Sequence, residues 1–271
     1  MAPGARAGDN GAMSDSLQII LLGIVEGLTE FLPVSSTGHL LIAEHWLGTR
    51  PELFNVAIQA GAILAVVLVY WRRLLELLRF DAADSRDYLA KLAFAFVVTV
   101  TGGLVAKRLG LQLPTTVWPV ALALVVGGIL ILLIEWQVRG RAPATAVGWN
   151  AAFWIGAAQV LAAVFPGTSR SAATIFAALL VGVTSRPAAT EFAFLVGIPT
   201  MFAATGYELL ELRGTDAALV DWNAVLLGFA VSAIVAFAAV KWLLRYVQTH
   251  LFTVFAWYRI VAGLALLWLV R

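Results

Sequence analysis

Residues 26–39 read EGLTEFLPVSSTGH, a polar stretch that lies between the apolar segments LQIILLGIV and LLIA. Two glutamates, a proline, four hydroxyl side chains and a histidine interrupt a region that is otherwise as apolar as a membrane span. A proline inside a helix removes a backbone hydrogen bond and clashes with the preceding turn. The stretch therefore predicts two short half-helices, a break that a membrane tolerates only where it lines a polar cavity.

A second apolar region, residues 149–183, is interrupted in a similar way by FPGTSRS. Superimposing Pro33 on Pro166 gives an offset of 133 (166 − 33) and aligns four further pairs, namely Gly23 with Gly156, Glu26 with Gln159, Ser35 with Thr168 and Ser36 with Ser169. Interrupted segments in corresponding places of two halves indicate an inverted repeat with a site near the bilayer midplane. Chance similarity between two Ala/Gly/Leu-rich segments is the alternative.

The composition is that of a membrane protein: 61% of the 271 residues are hydrophobic and 13% are charged, with a mean hydropathy of +0.90. Soluble domains carry about 25% charged residues. Continuous apolar runs exclude an alternating β-barrel pattern. The net charge of +2 gives no reason to expect nucleic acid, and zero cysteines exclude disulfides and thiolate sites.

The predicted fold is an all-α polytopic membrane protein with six transmembrane helices and two re-entrant helical hairpins, related as an inverted-topology repeat. We expect residues 1–12 to be a disordered tail and residues 13–271 to form one domain, with repeat halves at about 17–136 and 149–271. The six predicted spans are Leu53–Trp71, Tyr88–Ala106, Trp118–Trp136, Ala189–Leu210, Trp222–Leu244 and Leu251–Val270.

Loop charge predicts the orientation. Basic residues are concentrated in the segments 72–91, 137–148 and 241–250, and fewer stand at the opposite ends of the spans. Because cytoplasmic loops carry an excess of Lys and Arg, these three segments are predicted to be cytoplasmic. The first hairpin then enters the membrane from outside and the second from inside, which is the arrangement that an inverted repeat requires.

Glu26 and Glu30 are four residues apart and share one helical face. Two carboxylates in an apolar helix repel each other and require a cation, a metal ion or a proton kept on one of them. Mg²⁺ and Ca²⁺ prefer carboxylate and phosphate oxygens, so the pair is a candidate divalent-cation site. The alternative is that one or both carboxylates accept hydrogen bonds from backbone groups at the helix break.

Ser35, Ser36 and Thr37 stand where a half-helix begins, and each is a candidate N-cap. The N-terminus of a helix also offers free N–H groups to an anion. His39 lies three residues after Ser36, close enough on a helix for contact, and is a candidate general acid or base.

Arg170 lies between two half-helices in GTSRSAAT, far from a membrane boundary. An arginine within a membrane is costly and usually functional. Its planar fork matches phosphate oxygens. The alternative is a salt bridge to Glu26 or Glu30 across the repeat, and both states can occur at different stages of a reaction.

EGLTEFLPVSSTGHL and PGTSRSAAT resemble the two signature stretches of bacterial undecaprenyl-diphosphate phosphatases of the bacitracin-resistance type. Supporting matches are FNVAIQAGAILAVV at 54–67, LVVGG at 124–128 and EFAFL at 191–195. The resemblance covers nearly the whole chain from Met13.

The resemblance implies a multi-pass protein of the bacterial plasma membrane that removes the terminal phosphate of undecaprenyl diphosphate. The product is the monophosphate carrier used in peptidoglycan synthesis, and overproduction would confer bacitracin resistance. The resemblance also implies a divalent cation, Mg²⁺ or Ca²⁺. The family's acidic pair, serine–histidine stretch and arginine motif correspond to Glu26 and Glu30, to Ser35, Ser36, Thr37 and His39, and to Ser169, Arg170 and Ser171.

Within this interpretation we expect Ser36, His39, Glu30, Glu26 and Arg170 to be catalytic, and Ser35, Thr37, Ser169, Ser171 and Arg170 to bind phosphate. Ser36 is the preferred nucleophile, with His39 or Glu30 as its base, and direct attack by water remains open. We expect the site to open to the periplasmic face, and a homodimer is among the expected partners. A polyprenyl-phosphate flippase or transporter is the alternative function, because inverted repeats are common in transporters.

Overall fold

The computed structural model describes residues 14–79, 82–111, 116–211 and 220–269. The regular elements in these ranges are all α-helices; the predicted tail, residues 1–12, lies outside them. In chain order the helices are α1 (Asp15–Thr29), α2 (Ser36–Leu47), α3 (Glu52–Val69), α4 (Trp71–Leu77), α5 (Ala83–Arg108), α6 (Val117–Val138), α7 (Trp149–Val164), α8 (Arg170–Leu180), α9 (Arg186–Glu211), α10 (Trp222–Tyr246) and α11 (Thr253–Leu269).

Five of these helices, α3, α5, α6, α9 and α10, are long and apolar enough to cross a membrane. The chain is therefore a multi-pass membrane protein. The sixth predicted span, Leu251–Val270, is not confirmed, because α11 has 17 described helical residues and falls short of the 18 that the other spans reach. Phe252 precedes α11 and is not part of the helix. Its backbone N–H donates to the carboxylate of Glu135 at 2.9 Å.

Apolar side chains face outward and polar ones are enclosed. On α6, Leu130 and Leu133 are 50% and 54% exposed, whereas Glu135 on the same helix is 2% exposed. Glu135 is paired with Arg186 at the start of α9. A buried carboxylate with a charge partner and an apolar exterior is the arrangement that a lipid environment favours.

The two predicted interruptions are present. The first lies between α1 and α2 and the second between α7 and α8. We call them the first break (residues 30–35) and the second break (residues 165–169). Within each hairpin the two half-helices pack against each other; α1 also packs on α10, and α7 on α5.

Close helix contacts occur in pairs. A Cβ atom at Gly23 of α1 would lie 3.0 Å from the Gly228 carbonyl oxygen of α10. A Cβ atom at Gly156 of α7 would lie 2.5 Å from the Ala95 carbonyl oxygen of α5. A side chain would therefore clash at Gly156 and be tight at Gly23, and the two contacts share one offset (156 − 23 and 228 − 95).

Candidate active site

Each break ends in a serine with an unusual backbone. Ser35 and Ser169 have φ values of +75° and +70°, and they are the non-glycine residues with positive φ in the part of the chain that the structure describes. Their hydroxyls accept hydrogen bonds from the backbone N–H groups of Gly38 and Ala172 at 3.4 and 3.3 Å. Non-glycine residues in this region are strained and cluster at functional sites. The two caps start α2 and α8 in the same way.

The caps correct the predicted superposition of the two breaks. They match Ser35 with Ser169, not with Thr168, and Ser36 with Arg170, not with Ser169. Upstream of the breaks the predicted offset of 133 still holds, whereas the two cap serines are 134 residues apart (169 − 35). The second break therefore has one more residue between its proline and its cap serine than the first break has. Gly167 accommodates it, because this residue has a φ of +89° and lies against the Val120 carbonyl, where a Cβ atom would clash.

Glu30 connects the two breaks. Its Oε2 accepts a hydrogen bond from the Ser36 hydroxyl at 2.5 Å, and its Oε1 is paired with the Arg170 guanidinium. The guanidinium also contacts the sulfur of Met201 on α9. The salt bridge that the sequence left as an alternative is thus present, to Glu30. The Arg170 side chain is 26% accessible and that of Glu30 is 6% accessible, so the arginine is the more accessible member of the pair.

Ser169 of the second break is linked to the first break through Ser171 of α8. The Ser169 and Ser171 hydroxyls are 3.0 Å apart. The Ser171 hydroxyl donates to the Leu32 carbonyl oxygen at 3.1 Å. Hydroxyl groups from both breaks and the N-termini of two helices therefore converge in one small region, as an anion site requires.

The hydrogen bonds of the His39 ring go to residues other than Ser36, the partner that the sequence predicted. Its Nδ1 lies 2.7 Å from the Ser35 carbonyl oxygen, and its Nε2 lies 2.6 Å from the hydroxyl of Tyr258 on α11. Since a carbonyl oxygen only accepts, Nδ1 carries a proton, and in neutral imidazole Nε2 accepts from the tyrosine. Thr37 is exposed on the first turn of α2.

Glu26 is fully buried, and neither of its carboxylate oxygens has a hydrogen-bond partner among the described residues. The corresponding Gln159 is satisfied on one side, since its Nε2 donates to Thr99 at 3.2 Å. An unpaired buried carboxylate is costly unless a cation or a proton neutralises it. The described residues hold no cluster of three or more His, Cys, Asp or Glu side chains. Glu26 and Glu30 alone suit a cation such as Mg²⁺, which binds one or two carboxylates together with substrate phosphates.

Sequence reasoning missed Tyr258 and Arg259, two consecutive residues of α11. Tyr258 holds His39, and Arg259 is fully buried among backbone carbonyls of both breaks. Arg259 could have been found, because a charge inside an apolar span indicates function. Tyr258 carries no such signal, since tyrosine is common near membrane boundaries.

Comparisons with known proteins identify the family. The family model described as bacitracin resistance protein BacA matches residues 19–265. A protein of Rhizobium etli (strain CIAT 652) named undecaprenyl-diphosphatase is 56% identical over 255 residues, covering 93% of this chain and 96% of that protein. A protein of the same name from Stenotrophomonas maltophilia (strain K279a) is 55% identical over 260 residues, covering 95% and 98%. The chain belongs to the bacitracin resistance protein BacA family.

Proposed function

We propose that this protein hydrolyses undecaprenyl diphosphate to undecaprenyl phosphate and inorganic phosphate. The observation that carries the proposal is the chain of contacts from Ser36 through Glu30 to Arg170. It joins a hydroxyl, a carboxylate base and a phosphate-binding group at the N-termini of two half-helices. Relatives that are more than half identical are named for this activity, and the product would return to the lipid carrier pool of peptidoglycan synthesis. Higher levels of the enzyme would then confer bacitracin resistance.

Arg170 would exchange its partner when substrate binds. In the free protein its charge is balanced by Glu30, and the terminal phosphate offers two or three oxygens to the same planar fork. Bidentate arginine–phosphate pairs are strong and directional. Release of Glu30 from the arginine would leave its carboxylate as the acceptor of the hydrogen bond from Ser36.

Ser36 would then attack the terminal phosphorus while Glu30 takes its proton. The bond that breaks joins the terminal phosphorus to the bridging oxygen, and that oxygen leaves on undecaprenyl phosphate without needing a proton. Water would next attack the phosphoserine, release inorganic phosphate and restore the serine. A serine hydroxyl needs a neighbouring base to become a useful nucleophile, and Glu30 is the group in contact with it. Direct attack by water, with Glu30 as its base, is the other route.

The remaining polar groups would bind and orient the diphosphate. Ser35, Thr37, Ser169 and Ser171 surround the beginnings of α2 and α8. Free N–H groups there attract negative charge. His39 would act as an orienting group and a second acid or base, because its ring is fixed between the Ser35 carbonyl and Tyr258.

Glu26 and Glu30 would hold a divalent cation, Mg²⁺ or Ca²⁺, together with the diphosphate. Such an ion supplies charge neutralisation for the phosphoryl group during displacement. The support in this chain is the fully buried Glu26 carboxylate, whose oxygens have no protein partner among the described residues.

An apolar cavity of about 390 Å³ lies between α6, α7 and α8 and begins beside Thr168 of the second break. Its lining includes Leu130, Trp154 and Leu161, each about half exposed to the surroundings of the protein. We assign it to the first isoprenyl units of the tail, next to the diphosphate, because the cavity extends from the polar site to the lipid-facing surface.

The proposed architecture has six membrane-spanning helices, with α11 as the sixth, and two re-entrant hairpins in an inverted repeat within one domain, residues 13–271. Paired helix contacts at Gly23 and Gly156 and the matching caps at Ser35 and Ser169 support it. Loop charge supports a site open to the periplasmic face. Assembly as a homodimer stays a prediction.

The test is release of phosphate from purified protein in detergent, with undecaprenyl diphosphate as substrate, in the presence and absence of a chelator. Phosphate release that depends on Arg170 is expected. A protein that moves polyprenyl phosphate across vesicle membranes without releasing phosphate would favour the flippase alternative.

A further inference from the structure

We propose that Arg259 is a positioning residue that holds the two breaks in register, so that Ser36 and Arg170 meet the same phosphoryl group. The inference rests on the function proposed above. It assigns a role to a buried charge that takes no part in the reaction steps. We refer to the Arg259 guanidinium and its carbonyl acceptors as the carbonyl clamp.

The guanidinium donates five hydrogen bonds, and all five go to backbone carbonyl oxygens. Nη1 donates to Pro33 in the first break at 3.2 Å and to Thr168 in the second break at 3.0 Å. Nη2 donates to Gly167 in the second break at 3.0 Å and to Ala123 of α6 at 2.9 Å. Nε donates to Leu124 of α6 at 3.4 Å. A guanidinium has five N–H donors in a fixed fork. One rigid group thus binds both breaks and the helix beside them.

The clamp lies close in sequence to the reacting groups. Pro33 is three residues before Ser36, and Thr168 is two residues before Arg170. Both intervening segments end in serine caps with positive φ, which unrestrained backbone avoids. A group that fixes both carbonyls therefore fixes where α2 and α8 begin relative to each other.

A structural role in helix packing alone does not account for Arg259. The side chain is fully buried, and no carboxylate pairs with it among the residues described. Burial of an unpaired charge is expensive, and apolar residues of similar volume would pack α11 against α6 without that cost. The charge is instead spread over five carbonyls, three in the breaks (Pro33, Gly167 and Thr168) and two within α6 (Ala123 and Leu124), and it adds positive potential where a diphosphate would bind.

Gly127 of α6 provides independent support. A Cβ atom at this position would collide with the Arg259 guanidinium. The glycine therefore leaves room for the clamp. Gly127→Ala should displace the guanidinium while keeping its charge, which provides a second variant that does not remove the arginine. Gly103 of α5 is a matched control, because a Cβ atom there has no neighbour within 4 Å.

Steady-state kinetics of Gly127→Ala, Arg259→Gln, their double variant and Gly103→Ala give the first test. A misplacement of about 1 Å can cost about 100-fold in rate, so each single clamp variant should lose at least about tenfold in kcat with KM within about threefold. The kcat of the double variant should be at most about twofold below that of Arg259→Gln, because both changes disturb one contact. Arg259→Lys offers three donors to the five carbonyl acceptors, so its kcat should lie between those of Arg259→Gln and the wild-type protein. Additive losses, or full activity of Arg259→Lys, would overturn the clamp.

Distances between two spin labels give a second test that does not depend on activity. The chain has no cysteine, so Trp46→Cys on α2 and Leu180→Cys on α8, both at exposed positions, provide the only labelling sites. The distance distribution should broaden or shift in Gly127→Ala and Arg259→Gln, and stay unchanged in Gly103→Ala. An unchanged distribution in both clamp variants would refute the inference. If the wild-type protein released no phosphate, the proposed function would fail, while these distances would still decide whether the clamp exists.

Discussion

The carboxylate of Glu30 accepts a hydrogen bond from Ser36 at 2.5 Å and pairs with Arg170, which lies 140 residues further along the chain. The bond from Ser36 links Glu30 to the first residue of α2, and the pair with Arg170 links it to the first residue of α8. One carboxylate therefore couples the candidate nucleophile to the candidate phosphate-binding group. Any anion that attracts Arg170 also changes the electrostatic surroundings of the Ser36 hydroxyl.

Arg170→Ala should nearly abolish turnover, and Arg170→Lys should restore little of it. Lysine keeps the charge but loses the planar two-bond contact with phosphate. Loss of such a transition-state contact costs on the order of 100- to 1,000-fold in rate. Phosphate release from purified variants measures the effect, with Arg79→Ala as an exposed arginine control. Near-normal turnover by Arg170→Lys would mean that charge alone suffices.

Ser36→Ala should cost far more than Ser35→Ala. Ser36 donates to Glu30, whereas the Ser35 hydroxyl accepts from the backbone of Gly38 and acts as a cap. Rapid quench followed by mass spectrometry should detect a phosphoryl group on Ser36.

A Ser36→Ala variant that keeps more than about a tenth of the rate would have lost under roughly 1.4 kcal/mol. That is too little for a nucleophile, and it would assign the attack to water.

The breaks could be predicted from sequence because proline and hydroxyl residues disrupt an apolar helix by local chemistry. The Arg170–Glu30 contact was foreseen as an alternative, since buried charges need partners. The contact between His39 and Tyr258 could not be predicted, because 219 residues separate them and no periodicity relates α2 to α11. The superposition of the breaks was wrong by one residue, because identity at the prolines hid the extra residue at Gly167.

Glu26→Gln should remove divalent-cation binding without unfolding the protein. Glutamine has nearly the same shape, and Gln159 already occupies the corresponding position in α7. Saturating Mg²⁺, at about 100 times its dissociation constant, stabilises a binding protein by about 2.7 kcal/mol, so in the presence of inorganic diphosphate, which completes the proposed cation site, the wild-type melting temperature should rise with Mg²⁺ and that of Glu26→Gln should not. The exposed Glu52→Gln is the control. Full activity of metal-free enzyme in excess chelator would leave Glu26 and Glu30 as acid–base groups only.

The site should open to the periplasmic face. A membrane-impermeant thiol reagent should label Thr49→Cys, after α2, in intact cells. It should label Ala83→Cys, at the start of α5, only after the membrane is breached; both positions are exposed. The reverse pattern would overturn the orientation that loop charge predicts.

The most direct test of the central claim is ³¹P NMR of undecaprenyl diphosphate in detergent with wild-type protein, compared with Arg170→Ala. The account predicts that the two diphosphate signals disappear with the wild-type protein. Signals of a phosphate monoester and of inorganic phosphate should replace them in equal amounts, while the variant leaves the substrate intact. Persistence of the diphosphate signals with folded wild-type protein, or release of inorganic diphosphate, would contradict hydrolysis at the terminal phosphorus.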